Sequence, residues 1–341
     1  MLQKRIGIII GMLLLLLGGT LLLTGCQSQS TGDADADQKV KITYVTWKRD
    51  HHMQAMAKDL IARIESKSDG RITFESKGDE EVVEPAAQID AVLNGVFDAG
   101  MIGLTAMADR TPLANAMTVI PLNSQQQKEK GIYDLFQQEI ESKGLYYICN
   151  LDSSNYNNQF RLWLNKEISK PEELSGLRLR TIEKYASLAK DYNAFPQNIP
   201  APELYSSVQQ KLVDGYFMSF AAVDLGLGEI TKYYIDPGFG RSDEIFYMSL
   251  KKWNSIPEDL QKLIIDEVNA TEKDWEAKWS EDYAAQKAKV TATGVQELKL
   301  ADDIGQEFVA HYNDLVWEDV LAKAPEQGAK LRELAGLPPL K

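Results

Sequence analysis

Residues 256–289 read IPEDLQKLIIDEVNATEKDWEAKWSEDYAAQKAK, with a Pro at the second position and no other Pro or Gly. Pro257 suits the first turn of a helix, where its missing N–H has no intrahelical partner to lose. Leu260, Leu263, Ile264, Val268, Trp275 and Trp279 follow at helical spacing. The pattern predicts a helix of roughly 30 residues, about 45–50 Å long at 1.5 Å per residue. That exceeds the width of one small domain. A helix so long either supercoils with a partner or spans two domains. Its apolar positions are not sustained as heptads, so it is expected to cross between two domains of one chain.

The segments before it read as α/β units. From Val40 to Trp47 apolar residues mostly alternate, and β-branched and aromatic types dominate, which predicts a strand. Asp50 is placed to cap a helix whose apolar face is Met53, Met56, Ala57, Leu60, Ile61 and Ile64, with Gly70 closing it. RITFES at 71–76 alternates again, Pro85 opens a helix running to Gly95, and Ala99–Leu104 is a short buried strand. This β-α-β-α-β order implies a parallel sheet with helices on its faces. Further strands are expected over Phe160–Leu164, Leu177–Thr181 and Val213–Phe220, with a helix over Pro202–Leu212. A last helix runs from Asp302 to about Ala322.

At the start of the chain, Lys4 and Arg5 precede an apolar stretch, Ile6–Leu23, that ends in Leu23-Thr24-Gly25-Cys26. A positive start, an apolar core and small residues before a cut site describe a secretory signal. The last four residues also resemble the lipobox of bacterial lipoproteins, which implies a signal peptide over 1–25 and lipidation of Cys26. The alternative is an uncleaved anchor, since Ile6–Leu23 is almost long enough to span a bilayer. Either way the remainder is extracytoplasmic, in a periplasm or on the outer face of the cell membrane. Residues 26–38 hold QSQSTGDADAD, without a large apolar side chain, and read as a flexible tether.

The second cysteine, Cys149, sits in the apolar run Leu145–Cys149 and is expected to be a buried small hydrophobe. With Cys26 lipidated, no intrachain disulfide is available, and the core alone holds the fold. Formal net charge is −13, and about −15 once Lys4 and Arg5 leave with residues 1–25. Such a surface argues against nucleic-acid binding, which needs a basic footprint.

The motifs of bond-making chemistry are missing. There is no G-x-S-x-G, H-E-x-x-H, C-x-x-C, P-loop or Rossmann glycine pattern, and the three histidines, His51, His52 and His311, form no ligand spacing. No enzyme activity, cofactor or metal is expected. Arginine in apolar surroundings is more telling. Arg161 lies in QFRLWL, and Arg178 and Arg180 alternate with Leu177 and Leu179, which puts both on one strand face. A guanidinium so placed is costly unless a planar anion meets it, and a carboxylate is its best bidentate partner. The anion is a ligand or an internal Asp or Glu, or else the Arg points into solvent; the pattern leaves these open.

FRLWLNK at 160–166, ISKPEELSGLRLR at 168–180, PELYSSVQQKLVDG at 202–215, LNGVFD at 93–98 and IPEDL at 256–260 occur in this order. From about Val40 to Lys289 the chain resembles the DctP-type solute-binding proteins of TRAP transporters (tripartite ATP-independent periplasmic carriers). The resemblance implies a two-lobed, periplasmic-binding-protein-like (Venus-flytrap) α/β fold with a long helix spanning both lobes. It implies domain I over 39–157 plus about 244–285, and domain II over 158–243 plus about 286–341. It also implies a TRAP membrane permease as partner, Arg180 gripping a substrate carboxylate, and Arg161 assisting. The chain departs from the family's sialic-acid binders at MIGLTA (101–106), YFMSF (216–220) and Trp47, where polar anchors give way to apolar and aromatic residues. An aromatic, 2-oxo or 2-hydroxy monocarboxylate is therefore expected, walled by Trp47, Trp163, Tyr185, Phe217 and Met218. Lys48, Arg49 and His51 follow the first strand, where α/β sheets place ligand-facing loops, and one of them taking a second carboxylate is the alternative. A C4-dicarboxylate or sugar-acid binder, or a secreted enzyme on the same scaffold, are the remaining readings.

Overall fold

Val40–Thr46 forms β1, and α1 (Gln54–Lys67) lays Met56, Ala57, Leu60 and Ile64 against the sheet that β1 begins. β2 (Ile72–Ser76) pairs parallel with one side of β1. After α2 (Pro85–Leu93), β3 (Ala99–Gly103) pairs parallel with the other side. The computed structural model describes residues 38–47, 54–151, 160–241, 243–338 and 340. The expected signal peptide, tether and Cys26, and the candidates Lys48, Arg49 and His51 with the cap Asp50, lie outside the described residues.

The chain continues through α3 (Leu113–Met117), α4 (Ser124–Glu129) and α5 (Ile132–Ser142) to β4 (Leu145–Asn150). It then builds a second set: β5 (Arg161–Leu164), β6 (Arg178–Arg180), α6 (Glu183–Asp191), β7 (Phe195–Gln197), α7 (Ala201–Gln209), β8 (Gly215–Met218) and β9 (Tyr233–Asp236). β10 (Glu244–Ser249) returns to the first sheet, whose order is β2-β1-β3-β10-β4. There β10 runs antiparallel to both neighbours. The first sheet is thus mixed, not parallel throughout: the β-α-β-α-β unit is parallel, and a strand from far along the chain is inserted against it.

After α8 (Leu250–Trp253) comes α9 (Glu258–Ala292), 35 residues long. β11 (Gln296–Lys299) joins the second sheet, of order β11-β9-β5-β8-β6-β7. Two helices close the chain, α10 (Asp302–Lys323) and α11 (Pro325–Ala335). The second of these was not anticipated from the sequence.

At 1.5 Å per residue α9 is about 50 Å long, and its buried residues divide between two cores. Leu260, Ile264, Val268 and Trp279 pack with Ile42, Ala99, Phe246 and Met248 of the first sheet. Val290 packs with Trp163, Tyr216 and Phe220 beside the second. The helix therefore spans both lobes. On the opposite faces a third core runs continuously from Ile102 and Tyr147 through Leu162, Phe217 and Phe239 to Phe308, Tyr312 and Trp317. α10 packs against both α3 and α6, and α11 against α3 and α5, so the C-terminal helices hold the two α/β units together from that side.

Cys149 is fully buried in β4, and burial pushes its thiol pKa up, keeping it a neutral hydrophobe. Gly215 explains the D-G pair before β8. A Cβ there would lie 2.5 Å from both the Trp163 carbonyl oxygen and a Leu164 methyl. Backbone cannot yield as a side-chain tip can. Gly215→Ala is expected to cost roughly 1–3 kcal/mol by overpacking, read as a lower urea midpoint at unchanged slope; an unchanged midpoint refutes it.

Candidate functional site

β6 and β8 run parallel, so their last residues, Arg180 and Met218, reach the same end of the second sheet. Antiparallel β5 brings its first residue, Arg161, to that end opposite Met218, and antiparallel β9 brings Asp236 there. Residues 237–243 then lead directly from β9 into β10. In the first sheet, the C-terminal ends of β1 and β3 meet the start of β10. Both sheets therefore turn their strand ends toward one junction, where open α/β sheets bind ligands. The segment from β9 to β10 crosses it, held near both ends: the Phe239 N–H donates to the Phe160 carbonyl at 2.8 Å, and the Leu151 N–H to the Glu244 carbonyl at 2.7 Å.

Arg180 is only 7 % exposed. Its Nε donates to the Ile199 carbonyl at 2.9 Å and its Nη1 to the Phe217 carbonyl at 3.3 Å. Among the described residues no carboxylate pairs with it, and burial alone holds its guanidinium below the ordinary arginine value. Two neutral carbonyls satisfy hydrogen-bonding geometry but leave the buried charge uncompensated. Arg178, expected on the same strand face, differs sharply. It is exposed and bidentate to Asp214, with Nε at 3.0 Å and Nη2 at 2.9 Å. The strand's outer end gives it water and a protein acid; among the described residues the inner end gives Arg180 no acid.

Arg161 is 4 % exposed. Its Nη2 donates to the Tyr283 hydroxyl of α9 at 2.9 Å, and Asp236 Oδ1 stands 3.6 Å away. Its guanidinium also lies over the Phe220 ring, 5.2 Å from the centroid. This arginine already has a protein acid.

The aromatic candidates separate by packing. Trp163 is fully buried, stacked on Tyr216 at 5.8 Å, with its indole N–H donating to the Met218 carbonyl at 2.8 Å. Tyr185 and Phe217 are fully buried and stacked on each other at 4.6 Å, with Tyr312 on the other side of Tyr185 at 5.0 Å. These three are core in this structure. Trp47, just beyond β1, and Met218 are half-buried at the junction.

The first sheet contributes a polar cluster that the sequence reading did not single out. Gln54 in the first turn of α1 is buried, and its Nε2 donates to Thr46 Oγ1 at 2.8 Å and to Glu244 Oε1 at 2.9 Å. Glu244 is 1 % exposed at the start of β10. No motif marks either residue; only the long-range return of β10 brings them together. On the crossing segment itself, Arg241 and Asp243 form an ion pair at 3.0 Å with both side chains out of solvent. Among the described residues no group of His, Cys, Asp and Glu could hold a metal ion, and no helix is long and apolar enough to cross a membrane.

Two α/β lobes joined by the segment from β9 to β10 and a shared helix, with a buried guanidinium at their junction, that of Arg180, paired with no carboxylate among the described residues, define a bilobal binding-protein architecture. Residues 44–323 match the DctP family, described as bacterial extracellular solute-binding protein, family 7, and the chain belongs to that family. An uncharacterized protein of Haemophilus influenzae is 30 % identical over 195 residues, covering 55 % of this chain and 58 % of that one. A monocarboxylate 2-oxoacid-binding periplasmic protein of a Nostoc species is 22 % identical over 219 residues, covering 61 % and 59 %. This chain thus spans just under three-fifths of the length of those two relatives. In fold it is similar to a TRAP periplasmic solute-binding protein of Desulfovibrio salexigens with bound orotic acid, at a TM-score of 0.75 and 17 % identity over 87 % of this chain and 98 % of that one.

Proposed function

We propose that this protein captures a small organic monocarboxylate, an aromatic, 2-oxo or 2-hydroxy acid, between its lobes and presents it to a TRAP membrane permease. The observation that carries this reading is Arg180, buried at the junction with two carbonyl partners and no acid among the described residues. A carboxylate arriving there makes charge-assisted, bidentate hydrogen bonds in a site that lobe closure dries. The ligand therefore stabilises the closed form selectively, which is what a membrane partner can read. No bond-making step is required, and the role is that of a receptor.

Charge balance supports one carboxylate over two. Arg161 is already offset by Asp236, which leaves Arg180 as the junction guanidinium without an acid among the described residues. Trp47 and Met218 supply apolar and aromatic wall in place of the hydrogen-bonding groups that a sugar acid needs. The Nostoc relative's 2-oxoacid ligands and the Desulfovibrio protein's orotic acid fall in the same chemical class. We assign domain I to 39–157 with about 244–285, and domain II to 158–243 with about 286–341. Cys26 carries the lipid that tethers the protein outside the cytoplasm, so Cys26→Ser is expected to move it from the membrane to the soluble fraction.

A thermal-shift screen tests the ligand class. Aromatic monocarboxylates and short 2-oxo and 2-hydroxy monocarboxylates without further hydroxyls are set against C4-dicarboxylates and polyhydroxylated hexonates. A ligand at one hundred times its Kd stabilises the native state by about 2.7 kcal/mol, so a true ligand gives a clear upward shift. Shifts from dicarboxylates or hexonates, with none from the aromatic and short 2-oxo or 2-hydroxy acids, would overturn the assignment.

A further inference from the structure

A cavity of about 410 Å³ lies where the loop after α3, the segment between β9 and β10 and the C-terminal helices meet. Its wall includes Thr118, Pro121, Gly240, Asn313, Trp317 and Arg332, and neither Arg180 nor Arg161 belongs to it. Arg332 distinguishes this cavity from a packing gap. The residue is 8 % exposed, and its guanidinium lies over the Trp317 ring, 4.9 Å from the centroid. Nη2 donates to the Pro338 carbonyl. A guanidinium carries five N–H donors, and among the described residues that carbonyl is its one hydrogen-bond acceptor. Asp314 is also on the wall and acts on Arg332 through its charge without forming an ion pair.

The cation–π contact with Trp317 occupies one face of the guanidinium and consumes none of its N–H donors, which are left for an acceptor. Oxygens of a small anion meet them bidentately, and the half-buried Asn313 stands on the same wall. We propose that this cavity is a second oxyanion site, for a small carboxylate or an inorganic oxyanion, separate from the junction at Arg180. Its occupant would sit between the crossing segment at Gly240 and helices α10 and α11. There the Arg241 N–H already donates to the Thr118 carbonyl at 2.9 Å.

The test is calorimetric titration of the full chain with sulfate, phosphate and acetate, comparing wild type with Arg332→Gln, Asn313→Tyr and Arg180→Ala. Saturable binding is expected in wild type and in Arg180→Ala. It should weaken by at least about tenfold in Arg332→Gln, which lacks the charged fork. Asn313→Tyr fills the cavity while keeping the guanidinium, so it carries the test if Arg332→Gln fails to fold, and the same loss is expected. Tighter sulfate or phosphate binding assigns an inorganic occupant, and tighter acetate binding a carboxylate. The proposal falls if wild type shows no saturable binding, or if Arg332→Gln and Asn313→Tyr bind as wild type does. It also falls if binding disappears in Arg180→Ala alone, because the ion then occupies the interlobe site.

Discussion

Arg180→Ala is expected to weaken binding of a monocarboxylate ligand at least about thirtyfold, measured by calorimetry. Truncating one partner of a buried, hydrogen-bonded charge pair costs roughly 2–5 kcal/mol, and the lower end of that range already corresponds to about thirtyfold. The expectation rests on geometry. Nε and Nη1 are held by the Ile199 and Phe217 carbonyls, which fixes the direction of the fork without neutralising it. Arg180→Lys is expected to lose much of the affinity as well, because an ammonium offers a point charge where a planar fork is needed. A thermal melt of each ligand-free variant separates lost binding from lost folding. Wild-type affinity in a folded Arg180→Ala would place the ligand elsewhere and remove the basis of the receptor reading.

The contrast between Arg178 and Arg180 shows what the sequence could and could not convey. Alternation placed both on one strand face, and the two differ by their position along it. Arg178 sits at the outer end beside Asp214, whereas Arg180 sits at the inner end between carbonyls. Local patterning has no term for which end of a strand meets the other lobe. The same limit applies to aromatics. All four residues of β5 are buried, so alternation cannot separate a ligand-facing Trp163 from one stacked on Tyr216.

Elements with a strong local period were legible. α9 was foreseen from its apolar spacing and the absence of internal Pro and Gly, β1 and β2 from alternation, and β3 as a short apolar run following the second helix. β10 was not singled out as a strand, because all six of its residues are buried and its hydrophobic pattern has no period of two. Its partners, β3 and β4, lie about a hundred residues or more upstream. The Gln54–Thr46–Glu244 cluster was illegible for the same reason: Gln54 and Glu244 are 190 residues apart in sequence and meet only once β10 is in place.

The second large effect is expected at the crossing segment. Arg241 and Asp243 flank a single residue there, and the pair is sealed from water, with side-chain exposures of 1 % and 0 %. Arg241 Nη1 donates to the Leu122 carbonyl at 3.1 Å and Nη2 to the Met117 carbonyl at 2.5 Å, tying the crossing segment to the end of α3 and the loop that follows it. Among the described residues, neither Asp243 oxygen makes a hydrogen bond of good geometry. Its compensation is therefore the charge of Arg241. Arg241→Ala leaves that carboxylate buried and unpaired, which costs roughly 3–5 kcal/mol in comparable sites. Arg241→Leu combined with Asp243→Leu removes both charges, and its cost is expected to fall well short of the sum of the single changes. Urea unfolding of Arg241→Leu, Asp243→Leu and the double variant measures this directly. Additive losses, or an Arg241→Ala protein within about 1 kcal/mol of wild type, would show that the pair contributes packing without electrostatic coupling, and that the crossing segment is held by its backbone contacts alone.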